Sequence, residues 1–318
     1  MKKLLTVLLC LAMVFCMAAC GSDEPEEVVY PDGTINVVVP FAAGGGQHVL
    51  ATAISAAVDA TMVVTNVTGG GGSTGAMEVL HSNPDGYTVL CSTLQNIAAG
   101  AYNGTYQEAD AWEKFVPAAT VAGDRMMMIA SKASGFTSLE DIVEYSKANP
   151  GKLTVTGATA NSYTQLVIEK FMADLGVEWE FVPFDGENAC RNACMGGQVD
   201  LCIFGTAASS TAIDSGDCVG ICMLSAERSS YYPEIPTVSE VLEGFDAYDF
   251  TIYRCYMLPP ETDAAVADTL GGIIETAMSN ADFVASCESM FLEVGFMDRE
   301  KTTEVITNVY NECGEMYK

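Results

Sequence analysis

The sequence predicts an α/β protein in which helices pack on mostly parallel sheets. Three observations carry this. Apolar runs of strand length alternate with runs of helical period from residue 30 onward. Several strand runs end in glycine- or hydroxyl-rich stretches, as loops at the carboxyl ends of parallel strands do. Hydrophobic residues make up 49% of the 318, enough for a large core spread over two modest domains.

Taken in order, residues 35–39 read as a strand that runs into three glycines, and residues 50–58 read as a helix. A strand at 62–65 leads to a second glycine run at 69–75 and a short helix at 76–81. Residues 83–86 (NPDG) form a turn by composition, and 87–91 a strand. Two apolar runs, 115–121 and 126–130, can pass between domains. Ser138 caps a helix that ends near residues 149–151, with Asp141 placed as in a capping box. Strands follow at 153–156, 179–184, 199–204 and 219–224, and helices at 164–175, 187–195 and 206–215. A strand at 250–258 returns across the molecule, before amphipathic helices at 264–279 and 301–316. No internal repeat interrupts this order.

The first twenty residues read as a targeting segment. Lys2 and Lys3 precede an apolar stretch over residues 4–17, and Ala18 and Ala19 precede Cys20. The stretch is shorter than the roughly 20 residues of a membrane span. Met17-Ala18-Ala19-Cys20 resembles a bacterial lipobox, whose cysteine is lipidated. Lipidation of Cys20 is favoured over ordinary cleavage because residues 21–29 begin GSDEPEE, a polar, acidic, disordered tether. The expected location is extracytoplasmic, anchored at the outer face of the cell membrane.

The formal charge is −28, from 14 basic and 42 acidic residues. Nucleic-acid binding is therefore not expected, since phosphate contacts need clustered Lys and Arg. Of twelve cysteines, Cys10 and Cys16 lie in the targeting segment and nine follow Cys20. An odd number cannot all pair within one chain. Their spacing is not that of zinc sites, and His48 and His81 are the only imidazoles, so no metal or cofactor is expected. Most of these cysteines read as small core residues.

The stretch PFAAGGGQH, residues 40–48, is the leading candidate site. Strand, glycine turn and helix start leave bare N–H groups at a helix N-terminus, a ready anion site. A strongly acidic chain that binds an anion has to do so through local dipoles, because its long-range field repels the ligand. Further small or hydroxyl-rich loops end the later strands, at residues 69–74, 92–96, 156–164 and 205–210. Together they describe a cleft for a polar small molecule. Residues 70–75 fit G-x-G-x-x-G, but no acidic residue stands at 91–96 where a dinucleotide fold places one. Neither histidine lies near a nucleophile-elbow motif, so an enzyme is not expected.

These residues resemble the Bug family, the extracytoplasmic receptors of tripartite tricarboxylate transporters. PFAAGGG (40–46) resembles the family's first glycine loop, NVTGGGGSTG (66–75) the second, and PDGYTVL (84–90) the strand that follows. ANPGKL (148–153), GGQVDL (196–201) and IPTV (235–238) match in the same order, so the resemblance covers residues 30–318. It implies a type II periplasmic-binding-protein-like fold, a Venus flytrap of two domains around a central ligand cleft. Residues 30–125 with 251–318 would form one domain and 126–250 the other. It further implies a monomer that holds a small carboxylate partly by backbone amides and hands it to a permease of one large and one small integral subunit. Sensing through a membrane partner is the alternative to transport.

Carried onto this chain, the ligand-binding candidates are Phe41, Ala42, Gly45, Gly46, Gln47, His48, Gly71, Gly72, Ser92, Thr93, Thr159, Asn161, Ser162, Phe184 and Phe204. Where the family usually has Asp, this chain has His48, which can donate hydrogen bonds; it is equally a first-turn residue without ligand contact. Phe41 and Phe204 are either core or cleft wall. The hydroxyl and amide side chains are each either ligand contacts or turn formers and caps.

Overall fold

The structure, a computed structural model, describes residues 30–106, 110–184, 186–245 and 248–317. The signal segment, Cys20 and the tether expected over residues 1–29 lie outside them.

β1 (Ile35–Val39) is almost wholly buried, which is why it reads as an unbroken apolar run. It pairs in parallel with β2 (Met62–Asn66) and β3 (Thr88–Thr93). β2 is the edge strand, and its residues alternate between half-buried and exposed. The crossovers are α1 (Gly46–Ala57) and α2 (Ser73–Leu80). The carboxyl ends of β1, β2 and β3 therefore share one edge, where both glycine turns and Thr93 emerge. α3 (Leu94–Gly100) starts at once, with Thr93 Oγ1 accepting from Asn96 N at 3.3 Å. Sequence reasoning treats this stretch as loop because six of its seven residues are buried, so no polar face marks a helical period.

After the short α4 (Ala111–Lys114), β4 (Val116–Ser131) runs for 16 residues. The two apolar runs seen in the sequence are one strand. Its first part pairs antiparallel with β9 (Thr251–Leu258) as far as Arg125↔Thr251, and with β10 (Glu293–Met297). From Met126 it pairs antiparallel with β7 (Leu201–Gly205) and β8 (Cys218–Met223). β5 (Leu153–Thr156) lies parallel to β7 and to β6 (Trp179–Phe181). The α/β class holds, but the expectation of mostly parallel sheets is corrected. Four strand pairings are parallel, β1 with β2 and β3 and β5 with β6 and β7. The five that involve β9 or β4 are antiparallel, because both strands run back against the β-α-β units they join.

The middle segment carries α5 (Leu139–Ala148), α6 (Tyr163–Leu175), α7 (Glu187–Met195), α8 (Thr206–Asp214) and the short α9 (Val238–Val241). Ser138 caps α5 as expected, its Oγ accepting from Asp141 N at 3.2 Å. The full reciprocal capping box is at Thr237 and Glu240 instead. α10 (Ala264–Ala277), α11 (Ala281–Ser289) and α12 (Arg299–Met316) complete the chain. Among the described residues no helix is long and apolar enough to cross a membrane. All nine cysteines after Cys20 are buried and unpaired, as expected of small core residues.

α12 packs on α6, with Val309 and Cys313 joining Tyr163, Leu166 and Val167 in one apolar cluster. Glu312 borders this contact and accepts from Tyr163 Oη at 3.4 Å. Burial pushes its carboxyl up from 4.5 to about 7, opposed by the Tyr163 hydroxyl and then Lys170. Between these values the folded chain holds a proton that the unfolded chain has lost. The resulting stability is present at the acid end and is lost as pH rises through about 7. The unfolding midpoint is expected to fall between pH 5 and about 7.5, and Glu312→Gln to flatten that slope. A slope unchanged in the variant would remove Glu312 as its source.

Candidate functional site

The first glycine turn follows β1 directly. Gly44 adopts φ +78, which a side chain would strain, while Gly45 is the N-cap of α1 at φ −72 and ψ 163. Having no side chain, Gly45 cannot cap the helix, and Gly46 beside it is exposed. The first-turn N–H groups of α1 therefore point out from a bare helix end.

The second turn packs against the first. Gly69, Gly70, Gly71 and Gly72 all have positive φ, a run that only glycine tolerates without strain. A Cβ on Gly72 would stand 3.4 Å from the Phe41 ring, and one on Gly75 3.1 Å from Pro40. Asn66 Nδ2 donates to Phe41 O at 2.8 Å, tying the end of β2 to the first turn. Phe41, Gly45, Gly46, Gly71 and Gly72 are thus gathered at one edge, beside the exposed Ala42.

Gln47 turns inward. Its Nε2 donates to Ser92 O at 2.9 Å and to Cys91 Sγ at 3.1 Å, and its Oε1 accepts from Arg254 Nη1 at 2.9 Å. The Gln47 side chain is thus engaged within the protein, which leaves its backbone N–H in the first turn of α1 as the group that could face a ligand. Ser92 is buried at the end of β3, and Thr93 is the cap of α3. His48 is half-buried, and its Nδ1 has no hydrogen-bond partner among the described residues.

A loop of the middle segment meets the chain just beyond α3. Asn103, in the loop after α3, donates through Nδ2 to Asn161 O at 2.6 Å. Asn161 is exposed at φ +61, and Ser162 Oγ caps α6 by accepting from Gln165 N at 3.3 Å. Half-buried Thr159 and Phe184 flank Ala158, whose carbonyl accepts from Phe184 N at 3.5 Å. Of the two readings of Phe204, its burial fits core. It is fully buried with Cys190, Met127 and Tyr232, because β7 is covered on both faces.

Two functional candidates escape sequence reasoning, Arg254 and Asp124. Arg254 Nη2 donates to Asp124 Oδ2 at 3.0 Å, and Asp124 Oδ1 accepts from Ala207 N at 3.1 Å, in the first turn of α8. Asp124 supplies the anion that the Gly205-capped α8 lacks, just as α1 lacks one. Burial pushes the Asp124 carboxyl up to about 6, opposed first by Arg254. The available signal was a lone arginine within the apolar run 250–258 and an Asp124-Arg125 pair between the apolar runs 115–121 and 126–130.

Two cavities of about 350 and 390 Å³ lie elsewhere. One is bordered by Asp268, Glu275, Asp298 and Glu300, the other by Glu227, Asp249 and Glu293. In each lining the acidic residues outnumber the single arginine, Arg299 in the first and Arg125 in the second, which disfavours an anion.

A family model described as the tripartite tricarboxylate transporter family receptor matches residues 47–318. The chain belongs to that family. It is thus an extracytoplasmic solute-binding receptor rather than an enzyme. The BugT protein of Bordetella pertussis (strain Tohama I) is 26% identical over 87% of this chain and 86% of its own. A protein from the TAR-I ttuE-ttuC' intergenic region of Agrobacterium vitis is 24% identical over 79% and 73%. The solved periplasmic binding protein BugD shares 26% identity at a TM-score of 0.78, covering 91% of this chain and 97% of that one. The MatC protein of Rhodopseudomonas palustris, solved with malate, has the same fold at 20% identity and a TM-score of 0.78, over 91% and 100%. The second glycine turn and the IPTV segment of this receptor lie within the residues matched, and the first glycine turn just precedes them.

Proposed function

We propose that this receptor is anchored through lipidated Cys20 and captures a small carboxylate between two domains, residues 30–125 with 251–318 and residues 126–250. Closure of the domains would deliver it, as a monomer, to a permease of one large and one small integral subunit. The observation that carries this reading is the uncapped N-terminus of α1 at Gly45, beside the exposed Gly46. Backbone dipoles there favour a carboxylate without a free side-chain charge, which suits a chain of net charge −28. Gly71 and Gly72 would close one side, and Thr159, Asn161, Ser162 and Phe184 the other. Structural relatives of this fold were solved with malate and with adipate, which favours a dicarboxylate.

A thermal-shift screen of the full chain against malate, adipate, citrate, amino acids and aromatic acids tests this. A ligand at a hundredfold excess over Kd stabilises the folded state by about 2.7 kcal/mol. A carboxylate is expected to raise the midpoint, and a panel in which none does would overturn the reading.

A further inference from the structure

We propose that Arg254 is a side-chain contact for the ligand carboxylate at the α1 N-terminus, and that Asp124 sets how much of its charge the ligand meets. This rests on the carboxylate-receptor reading above and adds to it a residue that decides affinity.

Position comes first. Arg254 pairs with Thr93 on one side of β9 and with Ala122 on the other, which places it on the strand edge where the glycine turns emerge. Its guanidinium lies under α1. A Cβ on Gly46 would stand 3.8 Å from Nη2 and 3.9 Å from Nη1. Gly46 is exposed and, having no side chain, leaves the guanidinium adjacent to the bare helix end.

Donor accounting comes second. A guanidinium carries five N–H donors. Nη1 reaches Gln47 Oε1 and Nη2 reaches Asp124 Oδ2, but Nε has no partner among the described residues. Arg254 is only 6% exposed, so water does little to compensate that donor. A buried donor without a partner is costly. The atoms nearest Gly46 are Nη1 and Nη2, and the second N–H of each is the donor a ligand carboxylate would meet at the helix start.

Charge comes third. Asp124 neutralises Arg254 at 3.0 Å, and its other oxygen is held by Ala207 N. The ligand thus meets a guanidinium whose field is largely cancelled. A purely structural pair would join the β4–β9 strands to α1 and α8, and nothing more. The two roles predict different signs of response.

Isothermal titration of the full chain with malate and adipate, beside circular dichroism of each variant, separates them. Asp124→Asn leaves Arg254 charged and is expected to tighten binding by about three- to tenfold. The neutral double variant Arg254→Gln with Asp124→Asn leaves no buried charge unpaired, is expected to fold, and should bind at least about tenfold more weakly. Opposite shifts in these two folded variants support the proposal. Affinities unchanged in both, or reduced alike in both, overturn it while leaving the receptor reading intact. Failure of the unaltered chain to bind either acid overturns both.

Discussion

Gly45→Asp is expected to abolish carboxylate binding while leaving the protein folded and no less stable. Gly45 sits at φ −72 and ψ 163, the extended conformation in which Asp is a preferred N-cap. The new carboxylate would accept hydrogen bonds from the first-turn N–H groups that now face outward. It would place a permanent internal anion where the ligand anion belongs. A Cβ here meets Ala42 O at 3.2 Å, so the turn has to yield by only a few tenths of an ångström. Asp in place of Gly at an N-cap contributes a few tenths of a kcal/mol, and favourable charge at the helix start adds about 0.3–1 kcal/mol. The unfolding midpoint should stay level or rise. Ligand affinity should fall by at least about a hundredfold, the loss of a charge-assisted site together with repulsion between two carboxylates. Calorimetric titration with malate or adipate measures this, and near-normal affinity in the folded variant would dismiss the backbone-anion site.

What the sequence made legible follows from how local each feature is. The glycine turns were readable because a strand, three glycines and a helix are contiguous and their geometry depends on near neighbours. The same holds for Ser138, whose cap depends on a residue three positions away. Strand direction was not readable. The antiparallel pairing of β9 with β3 joins residues about 160 positions apart, and nothing in residues 251–258 records which edge they meet. The direction of the Gln47 side chain was not readable, because its partner Arg254 lies 207 residues on. Helix α3 was lost because its burial on every side erases the amphipathic period that marks a surface helix. Arg254 and Asp124 did leave a trace. Arg254 is the one charge in the apolar run 250–258, and Asp124 stands beside Arg125 between two apolar runs; charges so placed are rarely buried without a partner.

The same ion pair makes Gly205→Ala a strongly destabilising substitution. Gly205 has φ −61 and ψ 153, which alanine adopts freely, so the backbone offers no objection. The obstacle is steric. A Cβ there would lie 2.2 Å from Asp124 Oδ2 and 2.7 Å from Oδ1, distances no carbon tolerates. The carboxylate has little room to yield, since Ala207 N holds one oxygen, Arg254 holds the other, and its side chain is 1% exposed. Displacing it leaves Arg254 charged, buried and unpaired, a loss of about 3–5 kcal/mol. Gly46→Ala approaches the pair from the opposite side at 3.8 Å, an ordinary contact, and replaces glycine at a helical position. It should hold or raise stability by up to about 1 kcal/mol, while its methyl group narrows the exposed helix end and weakens binding. Urea unfolding of the two variants compares an alanine on each side of one ion pair. Equal stability in both would mean that Asp124 moves aside freely, and that the chain from Gln47 through Arg254 to Ala207 does not hold the α1 and α8 helix starts together.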